Sequence, residues 1–224
     1  MPARSAALRP RPHVGDELAS SIIHGVGIVL SIAALVSLVA LSAVLGDARA
    51  VTASAVFGST LILLYTASTL YHAVPGGSPK QVLRTLDHLA IFWLIAGTYT
   101  PFTLIALPGA WGWGLCSAIW TLAIAGTALE LGLLQRFASR KLPVLLYVTM
   151  GWLGLVAFKP LSTHLETGGL VLLVAGGVAY TLGVPFYLCR RMPFHHSVWH
   201  GFVLAGSVLH YLAVLLYVIP GTPA

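Results

Sequence analysis

The stretch VTASAVFGSTLILLYTASTLY, residues 51–71, holds twenty-one residues without one formal charge. A second run, LAIFWLIAGTYTPFTLIALPGA at 89–110, holds none either. An uncharged apolar segment of about 18 residues or more is long enough to cross a bilayer as a helix. In hydrocarbon a helix satisfies its own backbone hydrogen bonds, and these runs are too long and too continuous for barrel strands. Composition points the same way. Of 224 residues, 58% are hydrophobic and 8% charged, where soluble domains carry about 25% charge.

Working outward from residues 51–71, the sequence predicts an all-α integral membrane protein with seven transmembrane helices. The expected spans are 22–45, 51–71, 86–107, 111–129, 142–158, 168–188 and 197–219. Residues 1–21 form a basic tail and helix entry, 22–219 the transmembrane domain, and 220–224 a C-terminal tail. No small-residue cleavage site closes a short apolar region near the start, so the first helix is expected to stay.

The loops set the orientation. Arg4, Arg9, Arg11, Lys80, Arg84, Arg136, Arg140, Lys141, Arg190 and Arg191 fall on the N-terminal side, and only Arg49 and Lys159 on the other. The positive-inside rule then places the N-terminus in the cytoplasm and the C-terminus outside, in a multi-pass plasma or inner membrane protein. The net charge of +6 is explained by topology, and nucleic acid is not an expected partner. No Gly-rich phosphate loop or dinucleotide fingerprint occurs. Small residues at Gly25–Gly27, Gly151 and Gly154, and Gly201 and Gly206 permit close helix packing, and with it a homo-oligomer. Pro101 and Pro185 are expected kinks. Trp111, Trp113, Tyr147 and Trp199 are expected interface anchors.

The polar residues that remain are concentrated at one depth. His24 lies near the start of the first span, His72 ends the second, Asp87 and His88 open the third, and His195, His196 and His200 open the seventh. Ionisable groups at this depth are costly unless paired, hydrated or metal-bound. His196 and His200 are four apart and share a helix face. With His72 they offer three imidazoles, a frequent zinc arrangement that leaves one position open for water. Asp87 is the candidate to orient that water or take its proton, and Ser68, one turn before His72, to hydrogen-bond a ligand or a substrate carbonyl. Interfacial histidines in contact with lipid headgroups remain the alternative. His195 reads as an interfacial neighbour and His88 as a supporting residue at most. Glu17 and His24, seven apart, share a face and read as a supporting pair, or Glu17 serves the helix start. Glu130 is expected to pair with Arg136. His210, about ten residues deeper, reads as a cross-helix hydrogen bond or a residue on a substrate path.

Three blocks carry a family resemblance: ELASSIIHGVG at 17–27; STLYH at 68–72 followed by LDHLAIFWLIAGTYTPF at 86–102; and HHSVWHGFVLAGSVLHYL at 195–212. The chain resembles the hemolysin III family, the bacterial branch of the progestin and adiponectin receptor family of seven-helix proteins. The resemblance implies a zinc ion near the cytoplasmic face held by His72, His196 and His200, with Asp87 and Ser68 beside it. It departs at Ser20, where the family often has Asn, so a supporting role for Ser20 is carried by the resemblance alone. The leading expectation is a zinc-dependent hydrolase of a lipid amide or ester, with membrane lipids as substrate or ligand. The alternative is a receptor-like sensor or regulator of membrane lipid homeostasis with structural zinc. A channel, transporter or cytolytic role ranks last.

Overall fold

A computed structural model describes residues 14–107, 109–133, 142–189 and 191–221. Within them the chain forms seven helices long and apolar enough to cross a membrane: α1 Val14–Leu45, α2 Ala48–Ala73, α3 Ser78–Ala106, α4 Gly109–Glu130, α5 Leu142–His164, α6 Thr167–Leu188 and α7 His195–Val218. The protein is a multi-pass membrane bundle. Residues 1–13 of the basic tail and 222–224 of the C-terminal tail lie outside the described residues, as does Arg136.

Short connections make neighbours antiparallel. Asp47 caps α2 by accepting from the Ala50 N–H at 2.8 Å. The core lies between α1, α2, α3 and α7, around Leu38, Phe57, Leu61, Tyr65, Leu94 and Val214. The outer faces are the reverse of a soluble surface. Val29, Val36, Ile124 and Val171 are exposed, as lipid contact requires. Two glycines bring helices close to the core. A side chain at Gly27 would collide with the Tyr65 ring, and one at Gly206 with the Tyr180 ring. Gly25, Gly151 and Gly201 have nothing within 4 Å of that position, so close approach uses one glycine of each expected group at most.

Several boundaries differ from the apolar runs, for identifiable reasons. The first helix starts at Val14 rather than 22, because Asp16 and Glu17, read as tail, find partners at the bundle end. The third starts at Ser78, with Pro79 in its first turn. Lys80 and Arg84 therefore sit on a helix and not in a loop. Pro101 lies inside α3, where its missing N–H releases one backbone bond, and a π-helical turn at Phe102–Ala106 follows. The fifth span is interrupted by a 3-10 segment, Leu153–Ala157, between Leu142–Trp152 and Phe158–His164. The cause is the Tyr99 hydroxyl of α3, which donates to the carbonyls of Met150 and Gly151 at 2.9 and 3.0 Å. It accepts from the Gly154 N–H at 2.7 Å. A side chain inserted into the ladder breaks the α geometry there.

Candidate functional site

The starts of α1 and α7 and the end of α2 meet at one end of the bundle. His72, in the last turn of α2, faces His196 and His200, one turn apart on α7. The ring centroids lie 5.0 Å apart for His72 and His196, 4.8 Å for His72 and His200, and 4.7 Å for His196 and His200. One potential ligand atom from each lies within 4.8 Å of the others. The i,i+4 reading of α7 and the choice of His72 from another helix thus fall on one cluster.

The ring chemistry fits a cation. Glu17 accepts a hydrogen bond from His72 Nδ1 at 3.0 Å. A carboxylate only accepts, so Nδ1 carries a proton, and in the neutral ring Nε2 is left as the lone pair that can face an ion. His72 Nε2, His196 Nε2 and His200 Nδ1 are buried with no hydrogen-bond partner among the described residues. Each such atom costs about 1–3 kcal/mol. Three imidazoles packed this closely, each with an unpaired buried nitrogen, suit a positive ion that takes a lone pair from each. The cluster is compatible with a metal site.

The supporting contacts were only partly legible. Glu17 and His24 do not act as a pair. Glu17 Oε2 joins His72 and also accepts from Lys80 Nζ at 2.9 Å. Lys80 donates in addition to the carbonyl of Val74 at 3.0 Å, just past the end of α2. Lys80 had registered only as a loop charge. His24 instead lies against His200, with ring centroids 3.7 Å apart, and both its nitrogens are buried without a partner. The helical face they share is wide enough for each to reach a different imidazole.

Asp16 was missed as well. Phe194 occupies the N-cap position of α7 in the left-handed region, φ 55°, and its side chain makes no cap bond. Asp16 of α1 supplies the cap from another helix. Its carboxylate accepts from the Ser197 backbone N–H at 3.0 Å and from the Ser197 hydroxyl. Ser20 Oγ lies 3.1 Å from Ser197 Oγ. Ser197 stands between His196 and His200, so this clasp fixes the helix start that carries both. The sequence did hold a signal: no Ser, Thr, Asp or Asn stands directly before His195. Asp16→Ala is expected to destabilise the protein by about 1–2 kcal/mol, from the lost cap, read by denaturant or thermal unfolding in detergent.

Asp87 and Ser68 are buried and line the same cavity as His72. Ser68 stands close to the Asp87 carboxylate. His88 turns away from the cluster: its Nδ1 lies 2.8 Å from Glu130 Oε1. Glu130 therefore has His88 as its partner. Tyr147 donates to the His88 carbonyl at 3.1 Å and lines the cavity, so it is an internal residue and not only an interface anchor. His195 donates through Nδ1 to the Phe186 carbonyl at 3.1 Å.

The cavity has a volume of about 610 Å³ and runs from Asp16 and Glu17, past the histidines, to His210. Ile91, Leu94, Ile95, Val148, Val184 and Val203 are among its apolar walls. It combines a polar end with an oily interior, the shape of an amphiphile.

The profile of the family described as "Haemolysin-III related" matches residues 13–211. The chain is 46% identical over 207 residues to "Hemolysin-3" of Bacillus cereus, covering 92% of this chain and 94% of that one. It is 41% identical over 206 residues to "Hemolysin-3 homolog" of Bacillus subtilis (strain 168), covering 92% and 96%. It is 29% identical over 170 residues to "Monocyte to macrophage differentiation factor" of Homo sapiens, covering 72% and 68%. No solved structure matches.

Proposed function

Because the chain belongs to the haemolysin-III related family, we propose that it is a zinc-dependent membrane hydrolase of a lipid amide or ester. In this reading it is a bacterial relative of the progestin and adiponectin receptors, with its site at the cytoplasmic end. The observation that carries it is the three-imidazole group opening onto a large, mostly apolar cavity beside Asp87 and Ser68.

His72, His196 and His200 would hold the ion. Bound there, zinc supplies Lewis acidity, polarising a carbonyl and making water acidic enough to attack near neutral pH. Glu17 fixes the His72 tautomer and ring orientation, and Lys80 fixes Glu17. Asp87 takes the proton from the attacking water at its carboxylate and returns it to the leaving nitrogen or oxygen. Ser68 Oγ donates to the substrate carbonyl oxygen. The new bond joins the water oxygen to the acyl carbon, and the C–N or C–O bond breaks. The products are a fatty acid and an amine or alcohol. The apolar walls hold the acyl chain and keep bulk water out.

A prediction follows for the supporting carboxylate. Glu17→Gln is expected to weaken zinc affinity about 10- to 100-fold, measured by competition with a chelator.

One observation favours a second reading, a non-enzymatic sensor or regulator of membrane lipids. The His24 ring lies against His200, just outside the three-imidazole group, and recruiting it as a fourth ligand would close the site. The test is fatty-acid release by zinc-loaded protein in bilayers containing acyl amides and esters. Zinc-dependent release supports the hydrolase. A fully loaded protein that releases none from any of them sinks it and leaves the regulator.

A further inference from the structure

Ten residues beyond His200, the same helix buries His210, which the chemistry above does not use. His210 is 7% exposed. Gly176 of α6 makes room for it, since a side chain there would collide with the ring. The ring lies against α6, with Nε2 3.0 Å from the Leu173 carbonyl. A carbonyl only accepts, so the proton is on Nε2 and Nδ1 is an acceptor. Nδ1 is buried and has no hydrogen-bond partner among the described residues.

The hydroxyls around it are committed elsewhere. Tyr65 and Tyr180 both bond to Ser207 Oγ at 2.7 Å. Thr98 donates to the Leu94 carbonyl at 2.8 Å, and Tyr99 holds the break in α5. His210 lines both the large cavity and a smaller one, together with Thr98, Tyr99 and Trp152. The two cavities therefore adjoin at this ring. With a rise of 1.5 Å per residue, it stands about 15 Å along the helix from His200.

We propose that His210 is a specificity residue of the cavity, its Nδ1 accepting a hydrogen bond from a hydroxyl or amide N–H carried partway along the occupant's chain. The protein then prefers lipid chains bearing such a donor, about 15 Å from the group at the three imidazoles, over plain alkyl chains. A plain chain leaves the acceptor unpaired in a dry site, and a donor-bearing chain satisfies it. The proposal rests on the reading that a lipid occupies this cavity, and not on that lipid being cleaved.

The experiment measures binding of long-chain N-methyl acyl amides to the full-length protein in nanodiscs. The probes are unsubstituted or carry one hydroxyl stepped along the chain. Expected is a single best hydroxyl position, about three- to tenfold tighter than the unsubstituted chain. H210L should flatten the scan while binding the unsubstituted chain at least as well, and H210N should restore part of the preference. If H210L does not fold, nitrogen NMR of ring-labelled wild type decides. The unprotonated nitrogen of His210 must shift with the best hydroxylated probe and not with the plain one. A flat scan in wild type, or a preference that survives in H210L, overturns the proposal and leaves the lipid reading standing. If no probe binds wild type at all, the lipid reading fails and the proposal falls with it.

Discussion

His200→Ala is expected to abolish stoichiometric zinc binding and, with it, the proposed lipid hydrolysis. His200 is buried, and its ring centroid lies within 5 Å of both His72 and His196. Removing it leaves two imidazoles from different helices, too few for a tetrahedral site. Metal analysis of detergent-purified protein checks this directly, with wild type near one zinc per chain and H200A near none. His72→Ala should behave alike, and its loss would also strand Glu17 and Lys80 as a pair without an imidazole. Wild type that takes up no zinc when zinc is supplied would remove the metal reading. The buried lone pairs would then need another cation or a network of water.

Asp87→Asn separates the chemistry from the metal. Asp87 lines the cavity but is not among the three clustered ligands. The variant is expected to keep its zinc and lose about 10²- to 10⁴-fold in kcat, the usual worth of a general acid–base group. Metal content and turnover are measured on the same preparation. Loss of both would make Asp87 a support of the site and not its proton carrier. Full metal with full activity would transfer the proton role to another group.

The apolar runs were enough to count the spans, because in lipid a backbone without water has little choice but to be a helix. They were not enough to bound them. Asp16, Glu17, Lys80 and Arg84 stop a hydropathy reading, yet they lie on helices because each is compensated or exposed at the bundle end. The break in α5 was equally illegible. It depends on a hydroxyl from α3 reaching the carbonyls of Met150 and Gly151, and no local pattern in residues 142–164 records that.

The candidate site divides along the same line. The sequence by itself determined that histidines from two distant segments share a depth, that His196 and His200 share a face, and that Asp87 and Ser68 stand close by. Helical periodicity and the order of the apolar runs supply those points, since both are read along the chain. Only the tertiary structure decided which carboxylate serves which imidazole. Glu17 goes to His72, Glu130 to His88, and Asp16 to the start of α7. Those pairings depend on how α1 leans against α2 and α7, which is set by contacts such as Gly27 with Tyr65 and not by any residue's own neighbours in sequence. The same is true of His210, whose free acceptor exists because Gly176 lets the ring reach the Leu173 carbonyl.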